Sequence, residues 1–219
     1  VPPGIDLCVS DTVMAKHVAI DIGAAPVARG LAERLGAPAV LATVSRLVID
    51  LHREPDHPGL VPPESDGHVV PGNVGADRFD RIARFHAPYH RALGAEIVRR
   101  RPELLLSIHS FTPAMESGGD ARPWQVGILY NRDDRAARIA VDWLKAEGFE
   151  TGDNAPYSGR LLNATLNRHG EARGIAYLAI EVRNDLIADA SGQAEWAGIL
   201  ADMAHAVRNG LASAGPSAT

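Results

Sequence analysis

Apolar side chains recur at helical spacing from about residue 13 to residue 35, through Val18, Ile22, Ala25, Ala28, Leu31, Ala32 and Leu35, and Gly36 follows as a stop signal. This pattern predicts a helix. Residues 39–43 and 47–51 are short apolar runs rich in β-branched side chains and read as strands. Between residues 54 and 75 lie five prolines and four glycines, too many for a regular element, so a long loop is expected. Helical periodicity returns from Asp77 to Arg101, with Pro88 expected to kink or split the helix. Strands are predicted at 103–107, 124–130 and 175–182, and helices at 133–147 and 193–211, with a frayed tail at 212–219.

Strands alternating with helices of these lengths predict one α/β domain over residues 1–211, with a mainly parallel sheet and helices on both faces. Such folds usually open on a strand, whereas the first element here reads as a helix. A first strand upstream of Val1 is therefore expected.

Composition narrows the function. The 219 residues are 46% hydrophobic and 22% charged with a net charge of −5, which gives no electrostatic reason to expect nucleic acid or an anionic membrane as partner. A single cysteine, Cys8, excludes an internal disulfide and a cysteine-based zinc site, and favours a reducing, cytoplasmic setting. Basic residues are nearly all arginine, with lysine only at Lys16 and Lys145, which suggests a GC-rich bacterial genome more than a mechanism.

In open α/β sheets ligands bind outside the carboxyl ends of the strands. The strand ends here deliver His109 and Ser110, Glu181 with Arg183, Asn184 and Asp185, and Asp50 with His52 and Arg53. Irregular segments around Asn154–Gly159 and Asn167–Gly170 add amide, phenol, guanidinium and imidazole groups, and His17 and Asp21 share one face of the first predicted helix. His57, His68, His86 and His205 read as loop or helix-surface background. Glu181 sits inside an apolar strand, so it reads either as half of a structural ion pair or as a functional acid or base. Asp50 is similar, with Arg46 or Arg53 as partner. There is no phosphate loop, dinucleotide fingerprint, nucleophile elbow or H-E-x-x-H sequence. What remains suits a hydrolase in which a divalent metal activates water, a carboxylate acts as base and arginine holds an anionic substrate.

The segments His17–Ala24, Ser45–Arg53, Val70–Asn73, Pro88–His90, Ser107–Pro113, Arg122–Trp124, Asn154–Gly159, Arg168–Gly170 and Ile180–Ile187 together resemble the N-formylglutamate amidohydrolase family, in order and over nearly the whole chain. That family is similar to zinc carboxypeptidases and aspartoacylases, which implies a zinc-carboxypeptidase-like fold with a metal at the strand ends. The resemblance implies His109 and Asp21 as metal ligands, with zinc as the metal, and Glu181 as the glutamate that activates water. It implies Arg46 as the group that polarises the scissile carbonyl, and Arg53, Asn154, Tyr157, Arg168, His169 and Arg183 as substrate-binding residues. A first ligand, a histidine ending an upstream strand, is expected ahead of Val1. The implied reaction is hydrolysis of an N-acyl amide of an acidic amino acid, such as N-formyl-L-glutamate. The rival expectations are a non-catalytic binding protein for an acidic ligand and a carboxypeptidase-like peptide hydrolase.

Overall fold

Two apolar segments, β3 (Leu104–Phe111) and β6 (Ala176–Arg183), pair in parallel from Leu104 opposite Ala176 to Phe111 opposite Arg183, and the rest of the fold is arranged around them. The structure, a computed structural model, describes residues 1–214. Before β3 come α1 (Asp11–Met14), α2 (Ala24–Leu35), a small hairpin of β1 (Glu64–Ser65) and β2 (His68–Val69), α3 (Arg78–Arg81) and α4 (Ala87–Arg100). After it come β4 (Val126–Leu129), α5 (Arg135–Ala146), β5 (Thr151–Asp153), α6 (Ala164–His169), β6 and α7 (Ala190–Ser213).

The main sheet has the order β3-β6-β4-β5, parallel between β3 and β6 and between β4 and β5, antiparallel between β6 and β4. It is the expected single-domain α/β arrangement with a mixed sheet. Helix α7 carries Trp196, Leu200, Met203 and Val207, a buried stripe at spacings of four, three and four. It lies against both α2 and α5, and each such side chain contributes about 1.5–3 kcal/mol by leaving water. On β6, Tyr177, Ala179 and Glu181 share the opposite face from Leu178, Ile180 and Val182. The Tyr177 hydroxyl reaches Asn163, at the start of α6, at 3.2 Å.

Several elements differ from the sequence reading. Only 24–35 of the predicted 13–35 helix is one helix, although it ends at Gly36 as expected, in a left-handed cap with φ 60°. Residues 15–23 form turns because Gly23 holds φ 76° with the backbone of Ile187 packed on it; a Cβ there would lie 2.2 Å from the Ile187 carbonyl oxygen. His17 and Asp21 therefore do not share a helix face: His17 pairs with Asp66 at 2.8 Å instead.

Residues 39–43 and 47–51 are not strands. The carbonyls of the second run are taken by side chains rather than by a ladder: Leu47 by Asn73 at 2.8 Å, Val48 by Arg81 at 2.7 Å and Leu51 by His90 at 3.0 Å. Leu47, Val48 and Ile49 are fully buried in a second apolar cluster with Leu7, Val18, Leu60 and Val70. A short apolar run fits either a strand or a buried turn, and here burial without pairing prevailed. The helix expected at 77–101 is interrupted just before Pro88, in line with the kink or split expected there. The chain passes from α3 to α4 through one π-turn, Ile82–His86, which absorbs the amide that Pro88 lacks. Arg168 and His169 lie on the last turn of α6, not on irregular backbone. Of the expected frayed tail, residues 212 and 213 continue α7, and 215–219 lie outside the described residues.

Gly127 of β4 and Gly152 of β5 let the Asn154–Gly159 loop sit on the sheet. A Cβ at Gly127 would lie 2.1 Å from the carbonyl oxygen of Ala155. Gly127→Ala is expected to cost about 1–3 kcal/mol by overpacking, read as a lower denaturation midpoint. An unchanged midpoint would mean that the loop moves aside freely.

Candidate active site

The register of the parallel pair sets the site. His109 on β3 stands directly opposite Glu181 on β6, and Gly127 stands opposite Glu181 on the other side, where the Ala155 carbonyl packs over it. Glu181 is only 8% exposed, and its Oε2 is buried with no hydrogen-bond partner among the described residues. Burial pushes its pKa up to about 7; Asp21 adds to the rise, while the positive charges of His109, Arg46 and Arg122 restrain it.

Asp21 reaches this point from the turn after Ala19. The Ser45 hydroxyl donates to the Ala19 carbonyl at 2.8 Å, which lays the segment carrying Arg46 beside the segment carrying Asp21. Arg46 then donates through Nη1 to Asp21 Oδ1 at 2.8 Å and through Nη2 to Asp50 Oδ2 at 3.4 Å. Arg53 Nε lies 3.6 Å from the same Asp50 oxygen, so Asp50 takes the ion-paired role expected of it. Burial opposes ionisation of Asp21, but Arg46 and then His109 outweigh it and hold its carboxyl below the usual carboxylate range. The paired carboxylates raise the pKa of Arg46, which stays charged.

His109 is held at both ring nitrogens, with Nδ1 2.8 Å from Asp21 Oδ2 and Nε2 2.9 Å from Ser107 Oγ. Burial, the largest single influence, disfavours its charged form, but the hydrogen bond and charge of Asp21 together with the charge of Glu181 outweigh it and the pKa rises. When the ring is neutral, Nδ1–H donates to Asp21 and Nε2 accepts from Ser107. The ring of His52 lies 4.8 Å from that of His109, centroid to centroid; burial and the neighbouring positive charge lower its pKa to about 3, so it is neutral.

The structure thus brings together Asp21, Arg46, His109 and Glu181, with Arg53 joined through Asp50. Tyr157 adjoins them: burial and the charge of Glu181 raise its pKa, and its hydroxyl accepts from Arg122 at 3.0 Å. Four candidates bond to partners outside this cluster, although His169 lines the same cavity as Asp21 and His109. Asn154 Oδ1 accepts from the amides of Tyr130 and Gly159, both at 3.0 Å, and shapes its own loop. Arg168 faces Glu54 at 3.5 Å, Arg183 is forked onto Asp185 at 2.8 and 3.2 Å, and His169 bonds His90 at 3.0 Å. Sequence reasoning gave no role to His52, Ser107 or Arg122. Ser107 had a readable signal, since a residue two positions from His109 on one strand shares its face.

A cavity of about 900 Å³ runs from Asp21 and His109 along the outer edge of β3, between α2, α4 and residues 37–45. Leu104, Leu105, Leu106 and Ile108 are only half-buried along that edge.

A catalytic zinc takes about three protein ligands. Among the described residues no group of three or more His, Cys, Asp or Glu side chains is arranged to hold a metal ion. His109 and Asp21 offer two donors, each engaged with the other and with Ser107 or Arg46. The donors present do not make up a zinc site by themselves.

No helix among the described residues is long and apolar enough to cross a membrane. A comparison with curated proteins returns no match. A crystal structure of a gene product from Agrobacterium tumefaciens is 31% identical, with a TM-score of 0.85 over 96% of this chain and 84% of that one. An N-formylglutamate amidohydrolase from Ralstonia eutropha JMP134 is 22% identical with a TM-score of 0.60 over 90% of this chain and 89% of its own, a likeness of fold. The family model for N-formylglutamate amidohydrolase matches residues 1–188, and the chain belongs to that family of amide hydrolases.

Proposed function

We propose that this protein hydrolyses the N-acyl amide of an acidic amino acid, with N-formyl-L-glutamate as the leading substrate and Glu181 as the general base. The observation that carries this reading is the buried, unpartnered Oε2 of Glu181, set opposite His109 and within the influence of the Arg46 charge. A carboxylate titrating near neutrality is suited both to accept a proton from water and to return it.

In this reading Glu181 takes a proton from a water molecule as the water oxygen bonds to the formyl carbon. The carbonyl π electrons move to its oxygen, where the Arg46 guanidinium balances the charge. The C–N bond then breaks, Glu181 delivers its proton to the departing amine nitrogen, and formate and glutamate leave. Formate release from N-formyl-L-glutamate tests the reading, and absence of release with full substrate binding would favour a binding protein.

A divalent metal, zinc by expectation, is part of the same proposal, with His109 and Asp21 as two of its ligands; when bound it would polarise the carbonyl and acidify water. No step above depends on it. His109→Ala is expected to lower zinc per chain and abolish hydrolysis with the fold intact, because a half-buried strand-end side chain contributes little to the core. Unchanged zinc content would remove His109 from the ligand set. A cytoplasmic setting is supported by the lone Cys8.

One geometry favours a second reading. Asp21, His109 and Ser107 are linked at 2.8 and 2.9 Å in the order of a hydrolase triad, which would make Ser107 Oγ the nucleophile. Ser107→Ala separates the two: activity within a few-fold supports attack by water, and loss of about a thousandfold or more supports the serine.

A further inference from the structure

A substrate with carboxylates needs a cation that the protein has not already neutralised. Arg46 is shared between Asp21 and Asp50, Arg53 lies on Asp50, Arg168 on Glu54 and Arg183 on Asp185. Arg122 differs. Its guanidinium uses Nη1 alone, on the Tyr157 hydroxyl at 3.0 Å and the Thr112 carbonyl at 3.4 Å, and it pairs with no carboxylate among the described residues. The Nε–H and both Nη2–H groups make no hydrogen bond there, and that edge has the spacing that matches a carboxylate with two parallel bonds. Its Nη1 bond to Thr112, the first residue after β3 and three beyond His109, sets the guanidinium at the carboxyl ends of β3 and β6, the same end of the sheet as Glu181.

The surroundings hold this arginine ready. Its guanidinium carbon sits 5.0 Å from the centre of the Tyr157 ring, and its backbone N–H donates to Pro113 at 3.1 Å. The loop between β3 and β4 that carries it is pinned to the β1–β2 hairpin. Asp66 accepts from the amides of Glu116 and Ser117, both at 2.9 Å, and from the Ser117 hydroxyl at 2.5 Å. Lys16 and His68 both hold Glu116, at 2.5 and 3.0 Å. An arginine fixed at one end and open at the other binds with little further loss of side-chain freedom.

We propose that Arg122 is the specificity residue of this site: its free guanidinium edge binds a carboxylate of the N-acyl amino acid, and Tyr157 orients it. This rests on the hydrolytic reading above. It moves the carboxylate-binding role away from Arg183, which is forked onto Asp185, and from Arg53, whose charge faces Asp50 at 3.6 Å.

The test is steady-state kinetics of Arg122→Gln and Arg122→Lys on N-formyl-L-glutamate and on its uncharged diamide. Arg122→Gln is expected to raise KM for N-formyl-L-glutamate about 10- to 150-fold, the range of one charged hydrogen-bonded contact, with kcat within a few-fold and a loss on the diamide about tenfold smaller or less. Arg122→Lys should recover part of the loss, as a point charge does at a forked site. Equal losses on both substrates, or an unchanged KM for N-formyl-L-glutamate, would overturn the assignment. If the unaltered protein hydrolyses neither compound, the hydrolytic reading fails, and Arg122 is tested by calorimetric binding of N-formyl-L-glutamate. Binding weakened tenfold or more in Arg122→Gln then supports its role, and equal binding overturns it.

Discussion

Glu181→Gln is expected to reduce turnover of N-formyl-L-glutamate at least about a hundredfold, the usual scale for loss of a general base, while KM stays within a few-fold. Glutamine keeps the shape of the side chain and removes only its ability to take a proton. The same change should stabilise the fold. Burial raises the pKa of Glu181 from 4.5 to about 7, so between those values the folded state binds more protons than the unfolded state. Stability is therefore lost as pH rises through that window, and above it the ionised carboxylate costs up to about 3 kcal/mol. An uncharged glutamine is free of this cost, so the variant should melt higher than the native protein at pH 8 and turn over far more slowly. Activity within a few-fold, together with a lower melting temperature, would identify Glu181 instead as half of a structural ion pair.

That trade is also why Glu181 stood out in the sequence. A carboxylate inside Leu178–Val182 contradicts the apolar pattern around it, and a strand that breaks its own pattern marks a functional or strained position. His109 was legible for a related reason, at the end of an apolar run where α/β sheets place their sites. Their side-by-side placement was not legible, because the register between β3 and β6 spans about seventy residues of chain and no local signal encodes it. The same limit explains the misread run at 47–51. Its apolar side chains are buried as expected, but the groups that take its carbonyls, Asn73, Arg81 and His90, come from segments far along the chain. The resemblance implied Arg168, His169 and Arg183 as pocket residues; His169 does line the cavity beside Asp21 and His109, while the partners Glu54, His90 and Asp185, which no local pattern pointed to, take up part of their bonding. Arg122 had only a place in a family-like segment. Its significance lies in what it does not pair with, which a sequence cannot display.

The histidines behind the site lead to the other large expected effect, a loss of stability on mild acidification. His86, read from sequence as surface background, is 2% exposed and its Nε2 donates to the Arg53 carbonyl at 3.0 Å. His90 Nε2 donates to the Leu51 carbonyl at 3.0 Å, which leaves its Nδ1 to accept the Nε2–H of His169 at 3.0 Å. The far nitrogen of His169, Nδ1, is buried with no partner among the described residues. Protonating His90 would aim two N–H groups at each other, and the whole cluster is held neutral. Burial, reinforced by neighbouring positive charge, lowers the pKa of His90 from 6.5 to about 3 and of His169 from 6.5 to about 4. Below pH 6.5 the unfolded chain takes up protons that the folded chain refuses, so stability falls with pH from 6.5 down to those lower values. At pH 5 each of the two histidines removes about 2 kcal/mol, against a total stability of about 5–15 kcal/mol for an ordinary domain. Because His90 and His86 hold the carbonyls of Leu51 and Arg53, this loss falls first on the turn that carries Asp50 and His52. Denaturant unfolding between pH 7.5 and 5 should therefore show stability dropping by about 4 kcal/mol, because the gain of about 2 kcal/mol from protonating Glu181 is offset by a similar further loss at neutral His52. His169→Gln should remove about one proton from the slope, near 1.4 kcal/mol per pH unit, whatever it does to stability at neutral pH. A flat profile, or a slope indifferent to His169→Gln, would mean that these imidazoles titrate as freely in the folded protein as in the unfolded chain.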